Sequence, residues 1–297
     1  MRYFFSTGEA SGEMSATLLA RAIATLDPDA SFEGIGAQRM RDAGFKLWTD
    51  TRGWGSMGII AALAKAPKLI AIMIRIALRL VREAPDLIVL VDFGAFNLRL
   101  VGFLRRLGYR KPVLYFFPPG AWLDNPKQAR NVAETTVPLV AFEHQRDFYR
   151  ALGLPVQYFG HPLARAYELR DARPAAPPVG GTLAMLPGSR AGELRFHVPL
   201  VLQALQILRR TRPALRAVIG AADASAEATI RSALRDHALG DVEIVRSAPA
   251  ALAVADAALV ASGTAVLEAA LCGVPCVAFY VMLAAQARLA RRIFHGP

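Results

Sequence analysis

The chain has 297 residues, of which 54% are hydrophobic and 20% charged, so it can bury a sizeable core and is not globally disordered. Thirty-five Lys and Arg residues against 24 Asp and Glu residues give a net charge of +11, which favours anionic partners. No aromatic-rich basic motif of an RNA- or DNA-binding module is present, so we expect phosphate-bearing substrates or a membrane surface and no nucleic acid.

Apolar strand-like runs alternate with helix-like stretches along the chain, a pattern typical of parallel, doubly wound sheets. The predicted strands before residue 170 are Arg2–Ser6, Phe32–Ile35, Leu87–Asp92, Pro112–Phe117, Val137–Phe142 and Val156–Phe159. Those after residue 181 are Thr182–Leu186, Leu215–Ile219, Val242–Val245, Ala257–Ala261 and Cys276–Val281. The predicted helices include Met14–Leu26, Phe96–Leu107, Val198–Arg212 and Ala265–Leu271.

The segment Arg170–Gly181 is rich in proline and glycine, which indicates an interdomain linker. The sequence therefore predicts an α/β protein of two Rossmann-like, doubly wound parallel-sheet domains, covering residues 1–169 and 181–297.

The first stretch that carries chemistry follows the first predicted strand. Gly8 would let the backbone approach a ligand, and the start of the next helix would attract an anion. Gly8, Glu9 and Ser11 are therefore candidate cleft residues. The alternative is a tight turn in which Ser11 caps the helix.

Two further candidates lie at strand ends of the first domain. Asp92 ends a strongly apolar strand, where ligand crevices of open α/β sheets form, and its carboxylate could act as general base for a sugar hydroxyl. The alternative is that Asp92 caps the next helix. His161 follows the last strand of this domain and is either structural or part of the site.

The second domain carries two loops typical of phosphate binding, each between a strand and a helix. In the first, Ser189 and Arg190 predict a diphosphate cradle, because a guanidinium can bind two phosphate oxygens. In the second, Ser262, Gly263 and Thr264 present hydroxyls and backbone N–H groups to phosphate. Glu268, one turn further on, either binds ribose hydroxyls or is solvated.

The sequence predicts neither a metal nor another cofactor. No predicted strand is followed by an Asp-x-Asp element, which holds the metal of many sugar transferases, so Arg190 and helix dipoles would offset the charge of a leaving diphosphate. Cys272 and Cys276 do not form a Cys-x-x-Cys pair and are expected to be reduced thiols of a cytosolic protein.

The segment Lys65–Arg82 predicts a helix on a membrane surface. Its basic residues share one helical face, and most of the others are apolar, a pattern that fits binding to anionic lipid. The basic residues on that face are Lys68, Arg75, Arg79 and Arg82. The alternative is a core-packed helix with solvated arginines.

Taken in order, these motifs resemble the lipid-A-disaccharide synthase family over nearly the whole chain. The matching stretches are Gly8–Glu13, Met57-Gly58, Val91–Asn97, Phe142-Glu143 with Tyr149, Gly160–Leu163, Leu186–Arg190 and Ala261–Glu268. The chain departs from the family pattern at Gly94 and Ala95, in the element Phe117–Trp122, and in ending at Pro297.

The resemblance implies a GT-B fold with the site in the cleft between the domains. It implies inverting transfer of a diacylated glucosamine from its UDP form to a diacylated glucosamine 1-phosphate, with release of UDP and without a metal. The family's catalytic Asp falls on Asp92 and its phosphate-binding Arg on Arg190, and Asn97 joins the acceptor-cleft candidates.

The resemblance also implies a protein at the inner face of the cytoplasmic membrane and allows a homodimer. We expect the shortened C-terminal part to weaken transfer, unless Ala284–Phe294 braces the domains. The alternatives are another GT-B UDP-sugar transferase or epimerase, and a non-catalytic relative that binds nucleotide or lipid.

Overall fold

The computed structural model of the protein describes residues 1–52, 54, 59–119, 125–164 and 180–281. The chain divides into two compact units, Met1–Pro162 and Leu163–Pro297, each with a parallel sheet. The predicted linker, up to residue 179, and the C-terminal segment 282–297 lie outside the described residues, so their predicted roles stay predictions.

The first unit contains a seven-stranded sheet in the order β3-β2-β1-β4-β5-β6-β7. Its strands are β1 Arg2–Ser6, β2 Ser31–Gly36, β3 Lys46–Asp50, β4 Leu87–Val91, β5 Val113–Phe116, β6 Val137–Val140 and β7 Gln157–Tyr158. Its helices are α1 Ala10–Leu26, α2 Gln38–Asp42, α3 Ile59–Glu83, α4 Gly94–Arg106, α5 Pro126–Thr135 and α6 Glu143–Ala151.

The second unit contains a five-stranded sheet in the order β10-β9-β8-β11-β12. Its strands are β8 Thr182–Leu186, β9 Arg216–Gly220, β10 Glu243–Val245, β11 Ala257–Ala261 and β12 Cys276–Phe279. Its helices are α7 Ala191–Thr211, α8 Ala224–Asp236, α9 Ala248–Ala253 and α10 Thr264–Leu271.

Helices cover both faces of each sheet. The side chains of neighbouring residues in one strand point to opposite faces, and they join different hydrophobic clusters. On β1, Phe4 packs with residues of α3 to α6, whereas Phe5 packs with α1 and α2. On β8, Met185 packs with α7 and α8, whereas Ala184 packs with α9 and α10. The predicted doubly wound arrangement is thereby confirmed for both units.

Strand order reverses once in each sheet, between β1 and β4 and between β8 and β11. Both pairs are parallel and in register, with Ser6 opposite Leu90 and Leu186 opposite Val260. Their carboxyl ends are therefore level. Crevices of open α/β sheets form at such switch points.

The sequence prediction missed one strand of the first unit. Strand β3 was not predicted, because an edge strand that reads Lys-Leu-Trp-Thr-Asp has no continuous apolar run. Strand β12 was predicted, and although its residues read as buried on both faces, it lies at the sheet edge of the described residues, where Val277 is 64% exposed.

Among the described helices, including the 25-residue α3, none has both the length and the apolarity needed to cross a bilayer.

Candidate functional site

The first group of candidate residues lies where β1 and β4 end side by side. Gly8 is buried directly under the ring of Phe93, and a Cβ at position 8 would overlap that ring. Helix α1 begins at Ala10 with Glu9 at its N-cap, so Ser11 lies in the first turn and is not the cap. Glu9 and Ser11 are both half-buried.

Asp92 is exposed at the end of β4. It does not cap helix α4, because the N-cap position belongs to Phe93. Asp92 and Phe93 both adopt left-handed backbone conformations, with φ of 47° and 53°. Such values are uncommon for residues with a Cβ and concentrate at functional sites.

Asn97, which we expected in the acceptor cleft, is instead fully buried beneath Asp92. Its Nδ2 donates to the carbonyl of Asp92 at 2.8 Å, and its Oδ1 accepts from Ser6 Oγ at 2.5 Å. Tyr115 Oη donates to the same Asp92 carbonyl at 3.0 Å. Asn97 therefore supports the candidate base from inside, and Tyr115 is a contributor that the sequence did not reveal.

His161 lies among aromatic rings at the end of the first unit. Its ring centroid is 5.1 Å from that of Phe117 and 5.5 Å from that of Phe142. Burial lowers the pKa of His161 to about 4, so the imidazole is neutral at neutral pH. His161 could therefore exchange hydrogen bonds with a ligand but would not supply a positive charge.

The second group of candidate residues follows β8 and β11. Because these strands are neighbours in register, their loops emerge together at one edge of the sheet. Ser189, Ser262 and Gly263 are exposed there, and Thr264 is partly exposed at the first position of α10. Helices α7 and α10 begin at this edge, so their N-terminal N–H groups add to the local positive potential.

Arg190 is the N-cap residue of α7 and has 39% of its side chain exposed. Its guanidinium forms an ion pair with Glu193 at 2.8 Å, which orients it at the loop. Gly188 has φ of 108°, and a Cβ there would meet the Glu193 carboxylate at 2.7 Å. A glycine is therefore required for this turn to form beside the ion pair.

His197 is a further residue that the sequence analysis missed. It is fully buried, and its Nδ1 lies 2.8 Å from the carbonyl of Pro187 while its Nε2 accepts from the Val281 amide at 3.1 Å. These partners require a neutral ring with the proton on Nδ1. His197 thereby ties the Pro187–Arg190 loop to the residue beyond β12.

For Glu268 the sequence left two interpretations open: binding of ribose hydroxyls or exposure to solvent. It is only 9% exposed within α10, so the solvated interpretation is wrong.

Within the described ranges, no three His, Cys, Asp or Glu residues are grouped as metal ligands. The predicted family match at Met57-Gly58 and the part of Phe117–Trp122 after Pro119 lie outside the described residues.

Two parallel-sheet units with loops gathered at their switch points define a GT-B-like α/β protein. The UDP-GlcNAc 2-epimerase from Neisseria meningitidis, solved with UDP-GlcNAc bound, has this fold: it matches with a TM-score of 0.62 over 98% of this chain and 86% of its own, at 12% identity. The chain itself belongs to the lipid-A-disaccharide synthase family, since the Lipid-A-disaccharide synthetase family model matches residues 3–296.

Curated relatives agree with this assignment. Lipid-A-disaccharide synthase from Myxococcus xanthus is 34% identical over 94% of this chain and 74% of its own length. The enzyme of the same name from Pseudomonas aeruginosa strain LESB58 is 32% identical over the whole chain and 80% of its own length. The protein is thus a glycosyltransferase of the hexosyltransferase type, and the alternatives of an epimerase or a non-catalytic relative are not favoured.

Proposed function

We propose that this chain joins UDP-2,3-diacylglucosamine to 2,3-diacylglucosamine 1-phosphate with inversion, giving lipid A disaccharide 1-phosphate and UDP. The observation that carries the proposal is family membership over nearly the whole chain, together with an exposed carboxylate and two phosphate-type loops at the switch points. The carboxylate suits a base that activates the nucleophile, and the two loops suit a site for the diphosphate leaving group.

Asp92 is the general base in this proposal. Its carboxylate accepts the proton of the acceptor hydroxyl while the hydroxyl oxygen attacks C1 of the donor sugar. The bond from C1 to the diphosphate oxygen breaks on the opposite face, and UDP leaves with the bonding electrons. The exposed position of Asp92 at the end of β4 lets a sugar hydroxyl reach it.

The second unit binds the UDP part of the donor. Arg190 and Ser189 on one loop, and Ser262, Gly263 and Thr264 on the neighbouring loop, contact the diphosphate. Two helix N-termini at the same edge favour the negative charge that grows as UDP leaves. Glu268 lies further along α10 than Thr264 and is buried, which suits a carboxylate that accepts hydrogen bonds from ribose hydroxyls.

In this proposal, the first unit contacts the cytoplasmic face of the membrane through helix α3. Its inner side packs through Ile76, Ala77 and Leu80, whereas its outer side leaves Ile70, Ile74, Leu78 and Val81 exposed. A groove on this outer side is lined by both Leu78, which is 54% exposed, and Arg75. Exposed apolar residues beside cations fit an anionic lipid surface.

Arg79 lines the same groove but is the least exposed of the four residues in the predicted basic stripe. Its guanidinium pairs with Glu83 at 2.7 Å and lies 3.9 Å from the ring centroid of Trp48, so it is held against the protein. The exposed cations among the described side chains of α3 are Lys68, Arg75 and Arg82; the side chain of Lys65 is not described.

The predicted homodimer stays a prediction.

Replacing the base tests the catalytic role. Asp92→Asn should lower turnover at least about a hundredfold, the usual contribution of a positioned base, with UDP affinity unchanged. Asp147→Asn, an exposed change on α6, serves as the matched control. Transfer is followed by release of UDP at saturating substrate. Wild-type turnover in folded Asp92→Asn protein would refute the role.

Removing the guanidinium tests the donor site. Arg190→Ala should weaken UDP binding by about 1.5–3 kcal/mol, the scale of hydrogen bonds to charged groups. Arg210→Ala, at the exposed far end of α7, should leave binding unchanged. Isothermal titration calorimetry with UDP decides between them, and equal affinities for the two variants would contradict the assignment.

Removing apolar surface from α3 tests membrane contact. The double variant Ile74→Ser with Leu78→Ser should reduce flotation with anionic liposomes at least about tenfold, since each side chain contributes about 1.5 kcal/mol or more when buried. The matched control is Ile207→Ser with Val254→Ser, which removes two apolar residues of the second unit that are at least as exposed. The proposal fails if the two double variants float alike.

A further inference from the structure

The backbone of the candidate base is held in an unusual conformation. Asp92 and Phe93 are consecutive residues with left-handed φ values, and both carry a Cβ. Such a pair persists only where surrounding groups fix it. The turn decides where the Asp92 carboxylate is presented at the end of β4.

Hydrogen bonds hold both backbone polar atoms of Asp92. Its N–H donates to the Phe116 carbonyl at 2.9 Å, continuing the pairing of β4 with β5. Its carbonyl accepts from Asn97 Nδ2 at 2.8 Å and from Tyr115 Oη at 3.0 Å. Two side chains from different elements thus converge on one carbonyl oxygen.

The donors to this carbonyl are themselves fixed. Ser6, Asn97 and Tyr115 are fully buried, and they come from β1, α4 and β5 respectively. Ser6 Oγ donates to Asn97 Oδ1, so the amide turns its Nδ2 towards Asp92. Burial raises the pKa of Tyr115 well above its ordinary value, which keeps the hydroxyl protonated and able to donate.

We propose that Tyr115 and Asn97 are positioning residues for sugar transfer, which hold the Asp92 backbone in its left-handed turn and so place the carboxylate at the acceptor hydroxyl. The inference rests on the proposed role of Asp92 as base. Neither residue touches substrate, because both are buried beneath the turn. Their effect on the rate is geometric, since a small displacement of a catalytic group lowers the rate steeply.

Tyr115→Phe tests the proposal, because it removes one donor and keeps the ring. We expect kcat to fall about three- to tenfold, the range for one lost hydrogen bond, while KM for both substrates changes less than about twofold. The matched control is Tyr149→Phe: Tyr149 is equally buried in the same cluster, and its hydroxyl has no hydrogen-bond partner in the described structure. It should leave kcat unchanged.

Ser6→Ala gives a second, smaller perturbation, because it releases the Asn97 amide without emptying the core. It should lower kcat in the same direction as Tyr115→Phe, and it decides the matter if Tyr115→Phe does not fold. In the Asp92→Asn background, Tyr115→Phe should cause no further loss, because the positioned carboxylate is already gone.

The outcomes separate this inference from the proposed function. Wild-type turnover in Asp92→Asn would overturn the base role and the inference with it. A large loss in Asp92→Asn, with Tyr115→Phe and Ser6→Ala both indistinguishable from Tyr149→Phe, would overturn the inference alone. A raised KM with unchanged kcat in Tyr115→Phe would also overturn it, because the residue would then act in binding.

Discussion

Parallel strand pairing at the two switch points is the constraint on which the rest of the structure depends. Backbone hydrogen bonds hold β1 level with β4 and β8 level with β11. From each pair the chain turns away in opposite directions, so the loops at their carboxyl ends are left open to ligand. The candidate residues on the loops after β1, β4, β8 and β11 share this origin, although they are far apart in sequence.

The two units present different chemical groups at their switch points. The first presents a carboxylate, Asp92, on a left-handed turn whose carbonyl is held by buried donors. The second presents hydroxyls, N–H groups and a guanidinium, with Arg190 oriented by Glu193 and its loop tied by His197. In the proposed reaction, the carboxylate of the first unit supplies the base, and the groups of the second unit stabilise the negative charge of the leaving diphosphate.

The sequence was sufficient for the architecture because parallel strands are buried on both faces and read as apolar runs. It failed at β3, an edge strand that is too polar to recognise. Motifs also located Asp92 and Arg190 as candidates, since strand-to-helix loops with polar residues stand out locally.

The sequence could not reveal how these residues are held. Tyr115 and Asp92 are 23 residues apart, Ser6 and Asn97 are 91 apart, and His197 and Val281 are 84 apart. No local pattern links such partners, so Asn97 was expected in the acceptor cleft, whereas it is buried beneath Asp92. The contact of Arg79 with Trp48 likewise arises only from packing and has no local signal in the sequence.

The most direct test of the account is mass spectrometry of the products formed by the 297-residue protein from the two acylated glucosamine substrates. Endpoint analysis detects even slow transfer. The account predicts equal amounts of UDP and an acylated disaccharide 1-phosphate, and no disaccharide when the acceptor lacks its acyl chains. An epimerised or hydrolysed donor without any disaccharide would contradict it.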